Sequence, residues 1–193
     1  MRSRQVAVAL FACGVVFGAS RLFSHVMDTF YYPWDAPANG HPPLTATWVG
    51  AMKTGSGKPR SVVFTMRRVR TRRGGGGRCP QCGAIVGSAT TCDELGQLRE
   101  YRISGTAEDR HATRLHVSTF PVRKPPPDGL ELSTVRGSWS GDSLHFEAEF
   151  HWRKGKSAIS DTADPDTRGW VPLPLARGTE SDFRAQCARI VGH

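Results

Sequence analysis

The sequence predicts an all-β fold, an antiparallel meander of about eight strands that closes, or nearly closes, into a barrel; a two-sheet sandwich is the alternative. The main observation is the segment Leu144–Trp152, in which apolar and polar side chains alternate. Successive strand side chains point to opposite faces, so this segment predicts one buried and one wet face. Turn signals recur at short intervals, and there is no GxGxxG motif and no alternation of strands with helices. A nucleotide-binding α/β fold is therefore not expected.

Residues 1–24 predict a membrane-directing segment. Arg2 and Arg4 precede an apolar run, Val6–Phe23, which approaches the ~20 residues that a membrane-spanning helix needs. Basic residues are retained preferentially on the cytoplasmic side of a membrane. The body of the protein is therefore expected on the opposite side.

Three interpretations of this N-terminal segment remain open. We favour an uncleaved signal anchor that forms one transmembrane helix. A cleaved signal peptide would use the small residues Gly18 and Ser20 before the cut, and a lipoprotein would be modified at Cys13. All three place the body of the protein outside the cytoplasm. With the favoured anchor, the expected location is membrane-anchored and extracytoplasmic, which in a bacterium is the periplasmic face of the inner membrane.

Residues 25–43 are predicted to be a linker. The prolines between Pro33 and Pro43 favour an extended tether. The aromatic run Phe30–Trp34 has two interpretations, since its side chains could lie at the membrane–water interface or pack on the following domain. That domain, residues 44–193, is the predicted extracytoplasmic β-barrel.

The β pattern continues through most of this domain. Predicted strands cover residues 44–52, 61–70, 84–91, 98–105, 113–120, 130–139, 143–153 and 168–176. Glycine- and proline-rich turn signals separate them. A short C-terminal helix is then predicted, capped by Thr179 or Ser181, with Phe183, Cys187 and Ile190 as its apolar stripe.

Repeated hairpins give the chain a resemblance to known barrels. Segments 44–66 and 134–150 both read as strand, Trp-x-Gly, turn and alternating strand, and segment 98–120 repeats the form without tryptophan. In pattern the chain resembles calycin-type barrels, namely lipocalins and avidin-like proteins, whose first-strand Gly-x-Trp motif is approximated by Thr45–Trp48 without its glycine. It also resembles uncharacterised membrane-anchored bacterial envelope proteins. The resemblance implies a barrel followed by a helix.

The apolar face of the barrel supplies a candidate ligand site. The candidate ligand-binding residues are Trp48, Trp139, Phe146, Phe150 and Trp152. A closed eight-stranded barrel is either filled by side chains or hollow enough for one small ligand. The sequence leaves both possibilities open.

One basic segment accounts for the formal net charge of +9. No Asp or Glu lies between Asp35 and Asp93, and the candidate contacts for an anionic partner are Arg67, Arg68, Arg70, Arg72, Arg73 and Arg78. Guanidinium groups match the geometry of phosphate and carboxylate, so the segment predicts contact with anionic envelope components or a protein partner. An extracytoplasmic location argues against nucleic acid. A solvated loop is the alternative.

Four cysteines are candidates for disulfide bonds, namely Cys79, Cys82, Cys92 and Cys187. An oxidising compartment favours disulfides, and one bridge is expected between Cys187 and the region 79–92. A zinc site is the first alternative, with Cys187, His111 or His116 completing a set of four ligands. Free thiols are the second.

Two polar clusters resemble metal sites only superficially. The side chains of His145, Glu147, Glu149 and His151 share one strand face, but steps of about 7 Å along a strand spread them too far for one ion. A solvated outer wall is expected instead. Asp161, Asp164 and Asp166 lack the glycine and closing glutamate of an EF-hand, which favours an ordinary polar loop.

No arrangement of residues in the sequence indicates catalysis. There is no Gly-x-Ser-x-Gly and no His-Glu-x-x-His motif. We therefore expect a non-enzymatic structural or interaction protein of the cell envelope, without metal or cofactor. The alternative is a lipocalin-like module that binds a small apolar ligand.

Overall fold

The computed structural model describes residues 13–23, 26–27, 30, 32–35, 43–69, 83–109, 111–123, 128–154 and 157–192. The strands are β1 (Thr47–Lys53), β2 (Pro59–Arg68), β3 (Gly83–Cys92), β4 (Leu98–Ala107), β5 (Leu115–Pro121), β6 (Asp128–Ser140), β7 (Ser143–Lys154), β8 (Ser157–Ile159) and β9 (Val171–Arg177). The C-terminal helix, Glu180–Val191, follows.

Eight of these strands form a closed antiparallel barrel. Hydrogen bonding runs in sequence order from β1 to β7, then to β9, and β9 pairs with β1 to close the ring. The short β8 pairs only with the end of β7. The predicted meander and C-terminal helix are thus confirmed, and each predicted strand overlaps an observed one. The two-sheet alternative is not adopted, and β8 was not predicted.

The alternation in β7 has the predicted consequence. Leu144, Phe146, Ala148 and Phe150 are buried, whereas Trp152 at the strand end is half-buried. The neighbouring strand matches this register, because Leu130 lies opposite Trp152 and Leu132 opposite Phe150. A β-bulge between Leu132 and Thr134 shifts the register, which bends the strand as a barrel wall requires.

Inward-pointing side chains fill the barrel. One continuous hydrophobic cluster takes members from all eight barrel strands, including Trp48, Phe64, Ile85, Tyr101, Val117, Leu132, Phe146, Phe150 and Leu173. The rings of Phe64 and Phe146 meet edge to face with their centroids 5.9 Å apart. Glycines permit the close approach of neighbouring strands: a Cβ on Gly105 would lie 2.2 Å from the His116 carbonyl oxygen. The interior is therefore a packed core.

Residues 32–35 close one end of this core. Trp34 is fully buried, and its carbonyl accepts a hydrogen bond from Leu44 N at 2.6 Å. Asp35 forms an ion pair with Arg68 Nε at 2.8 Å, and the Arg68 guanidinium lies 4.4 Å from the centroid of the Tyr32 ring. Of the two interpretations of the aromatic run, packing on the domain is the one observed for Tyr32 and Trp34. Residues 36–42 lie outside the described part of the chain.

The acidic loop after β8 closes the opposite end. Trp152 Nε1 donates to Asp164 at 2.6 Å, and Ser56 donates to Asp166 through its backbone N at 2.7 Å and its hydroxyl at 2.9 Å. Burial opposes ionisation of Asp166, but hydrogen bonds from Thr54 and Ser56 outweigh it and lower the pKa of this carboxyl. The carboxylates of Asp164 and Asp166 thus fasten the loop to the barrel.

The N-terminal segment is described only from residue 13. Residues 13–23 are helical, and their apolar side chains, among them Phe17, Leu22 and Phe23, are exposed. Among the described residues there is no helix with the length and apolar character to cross a membrane. The predicted transmembrane helix covers residues 1–24, of which residues 1–12 and 24 lie outside the description. It is not confirmed and stays a prediction.

Candidate functional site

The C-terminal helix lies on the outer wall of the barrel, against β1 and β2. Its N-terminus has a capping box: Thr179 Oγ1 accepts from Asp182 N, and the Asp182 carboxylate accepts from Thr179 N at 2.7 Å. Phe183 is the buried side chain of the helix, and it packs with Val63 and Cys92. The predicted cap and apolar stripe are confirmed at Thr179 and Phe183.

A disulfide bond between Cys92 and Cys187 fixes the helix to the end of β3. The two Cα atoms are 5.7 Å apart, and the bridge joins positions separated by 95 residues. The prediction that Cys187 is tied to the region 79–92 is confirmed, with Cys92 as the partner. Cys79 and Cys82 lie outside the described residues, so the prediction for them stays open.

An open groove of about 1080 Å³ runs between this helix and the outer faces of β2, β3 and β4. Thr47 pairs across strands with Thr65, and Thr65 with Ser88, so three hydroxyl-bearing side chains form a row on the groove floor. Thr90 adds another hydroxyl. We call this feature the helix groove. Its floor offers hydrogen-bond donors and acceptors on a rigid sheet.

The rim of the helix groove is apolar. Leu98 on β4 is 61% exposed, Val122 after β5 is 45% exposed, and Val191 on the helix is 47% exposed. Exposed aliphatic side chains grouped around a concavity are typical of interaction sites. Their clustering distinguishes this wall from an ordinary solvated sheet face.

Charged side chains sit at both sides of the helix groove. Glu180 and Arg184 form an ion pair at 2.6 Å on the helix. Glu100 on β4 is exposed and, within the described part of the chain, lies in no ion pair. The groove therefore presents one carboxylate that is not already matched by a cation.

Breaking the disulfide is expected to loosen this site. The Cys187→Ser variant should lose about 2–5 kcal/mol of unfolding free energy, because a bridge that closes a loop of this length restricts the unfolded chain strongly. Urea unfolding measures the loss, and amide exchange should accelerate in the helix. Cys13→Ser is the control, since Cys13 is an exposed free thiol. Equal stabilities for the two variants would contradict the structural role of the bridge.

The aromatic residues predicted to bind a ligand lie in or beside the core. Trp48, Phe146 and Phe150 are buried inside the barrel. Trp139 and Trp152 are half-buried against the same cluster, and their indole N–H groups donate to the Gly141 carbonyl and to Asp164 respectively. The structure places three of them in the packed core and two against it.

The predicted anion contacts are only partly described. Arg67 is exposed at the end of β2, whereas the neighbouring Arg68 is engaged within the protein through Asp35 and Tyr32. Arg70, Arg72, Arg73 and Arg78 lie outside the described residues. For these four arginines and for Arg67, contact with an anionic partner therefore stays a prediction.

The polar row of β7 faces outward as expected. His145 and Glu147 are exposed, and Glu147 pairs with Arg136 at 2.9 Å. His151 and Glu149 are half-buried, and His151 Nε2 lies 3.4 Å from Glu131. Across the described ranges, no three His, Cys, Asp or Glu side chains are grouped so as to hold a metal ion. The row belongs to the wall of the barrel.

Sequence reasoning missed the helix groove. A signal for its rim was present, because Leu98 and Val122 are apolar residues on the outward face of their hairpin. They depart from the expectation that outward positions are polar. The helix is held near them by a disulfide bond of Cys187, and the sequence does not specify which cysteine pairs with Cys187.

Searches against protein-family models, curated proteins and solved structures produced no match.

Proposed function

We propose that the protein is a non-enzymatic interaction protein of the cell envelope that binds a segment of a partner protein in the helix groove. The observation that carries this proposal is a concave site with a hydroxyl floor and an apolar rim, outside a barrel whose interior is a packed core. A lipocalin-like interior site has less support, because the aromatic side chains that would line it pack against one another.

The lining of the groove favours an extended peptide segment with apolar side chains and one basic side chain. Leu98, Val122 and Val191 would contact the apolar side chains, and Thr65 and Ser88 would bond to backbone amides. Glu100 would pair with the basic side chain. The disulfide fixes the helix to the barrel, so the two walls of the groove, the helix and the sheet, are held in position before binding. This preorganisation reduces the entropy lost on binding.

Two features support an envelope location. The Cys92–Cys187 disulfide is typical of proteins that fold in an oxidising compartment. The exposed apolar side chains of residues 13–23 would be covered by attachment to a membrane. We propose that the N-terminal segment anchors the protein and holds the barrel, with its groove, outside the cytoplasm.

Photo-crosslinking from the groove rim tests the proposal. Val122 is replaced by p-benzoyl-phenylalanine in the full-length chain, and the cells that produce it are irradiated. We expect one predominant adduct with a second protein, because the probe would lie against the bound segment. Mass spectrometry identifies the adduct and the contacted peptide.

The matched control is a probe at Ile159, which is 40% exposed on β8, away from the groove. In the background of the Val122 probe, Glu100→Lys should reduce the adduct at least tenfold, and Leu95→Asp should leave it unchanged, since Leu95 is exposed but does not line the groove. Equal adducts from both probes, or none from Val122, would contradict the proposal.

A further inference from the structure

Two arginine side chains inside the barrel have no carboxylate within ion-pair distance among the described residues. Arg60 on β2 and Arg99 on β4 occupy inward-facing positions at the end where the acidic loop closes the barrel. Arg60 is only 5% exposed, and Arg99 is half-buried. Buried charges in proteins are normally paired and hydrogen-bonded, since unpaired burial is strongly unfavourable.

The hydrogen-bonding groups of these arginines are unmatched. Arg60 Nε, Arg99 Nε and Arg99 Nη1 are buried, and none has a hydrogen-bond partner. The Arg60 guanidinium lies 5.7 Å from the centroid of the Phe150 ring. Arg99 packs so closely on Gly129 that a Cβ there would lie 2.4 Å from Nη2. Both side chains are thus held in position while their donors remain available.

The nearby carboxylates, those of Asp93, Glu94 and Glu131, do not reach ion-pair distance of either arginine. Glu94 Oε2 and Glu131 Oε1 are themselves buried without a hydrogen-bond partner. Asp93 accepts hydrogen bonds from the backbone N of Leu95 and Gln97, which closes the turn between β3 and β4. Glu131 lies 3.1 Å from Arg153 Nε. In the described part of the chain, neither Arg60 nor Arg99 forms an ion pair with a carboxylate.

Burial also affects the ionisation of Arg60. Desolvation lowers the pKa of its guanidinium, and the field of Asp93 opposes this only in part. An arginine nevertheless stays protonated in proteins, so the barrel end retains positive charge. An oxyanion beside the two guanidinium groups would supply the acceptors that their buried N–H groups lack, with negative charge at hydrogen-bonding distance.

We propose that Arg60 and Arg99 form a binding site for an oxyanion, a carboxylate or a phosphate group, at this end of the barrel. The ring of Phe150 forms one apolar wall of the site. Because the rest of the interior is packed, the site admits a small anion or only the charged end of a larger molecule. This site is separate from the helix groove.

Arginine side-chain NMR tests the site directly. The Nε–Hε signals of the full-length, ¹⁵N-labelled chain are followed during titration with inorganic phosphate and, separately, with acetate. We expect saturable shifts for Arg60 and Arg99 with at least one of these anions, and no such shift for the outward-facing Arg102 on β4. A titration with hexanoate distinguishes a free small anion from the charged end of a larger apolar molecule. Hexanoate binding more tightly than acetate indicates the second kind of ligand.

Matched variants complete the test. Arg60→Met and Arg99→Met should each weaken anion binding at least tenfold, whereas Arg102→Met should retain it. If Arg60→Met does not fold, Arg99→Met and the wild-type titration still decide the outcome. Three results would each overturn the proposal. The first is that chloride at equal ionic strength reproduces the shifts, and the second is that all arginine signals move alike. The third is an undiminished affinity for the anion in Arg99→Met.

Discussion

Replacing Trp34 with alanine is expected to destabilise the barrel by about 3–5 kcal/mol, the usual range for truncating a large buried aromatic side chain. Trp34 is fully buried in the core cluster, although it lies outside the strands, in the segment that precedes β1. Loss of the indole would leave a cavity at this end of the barrel. The Asp35–Arg68 ion pair, which holds residues 32–35 against the barrel, would keep the cavity from closing. Urea unfolding of the variant and of the wild type measures the effect.

Two further variants make the Trp34 result specific. Trp34→Phe should lose much less stability, because the indole Nε1 is buried without a hydrogen-bond partner, so its removal carries little penalty. Phe23→Ala should change stability by less than about 0.5 kcal/mol, since Phe23 is exposed. If Trp34→Ala behaves like Phe23→Ala, residues 32–35 do not belong to the folded domain.

Replacing Phe150 with alanine is expected to destabilise the protein by a similar amount, about 3–5 kcal/mol. Phe150 is fully buried within the barrel, opposite Leu132 on β6. In a packed core, truncation removes contacts on all sides of the ring and leaves a cavity. In a ligand pocket, the same ring would face empty space and its removal would alter stability little.

Phe120 provides the comparison for Phe150. It is the same residue type in a neighbouring part of the barrel, but its side chain is 54% exposed on the outer face of β5. Phe120→Ala should therefore change the unfolding free energy by less than about 0.5 kcal/mol. Comparable small losses in both variants would indicate a hollow barrel and favour the lipocalin-like alternative.

The sequence predicted those elements whose information is local. The alternation of Leu144–Trp152 repeats with the period of a strand, so it predicts β7 and the outward direction of its polar row. Thr179 and Asp182 have the spacing of a capping box, which marks the start of the C-terminal helix. Both features depend on residues close together in the chain.

Features that depend on distant residues were not predictable in detail. Trp34 lies in a proline-rich stretch without periodicity, and its neighbour Asp35 pairs with Arg68, which is distant in the chain. The helix groove depends on a disulfide between positions 95 residues apart. Arg60 lies one residue before the predicted strand 61–70, so its inward position became evident only from the register of β2 with β1.

The claim that the partner binds outside a filled barrel is tested most directly by hydrogen–deuterium exchange. Exchange is measured on the purified protein, alone and with the purified partner that the crosslink identifies. We predict increased protection in residues 98–102 and 180–191, which border the helix groove. Exchange in β6 and β7, on the opposite side of the barrel ring, should remain unchanged. Protection in β6 and β7 with no change at the helix would contradict the groove as the binding site.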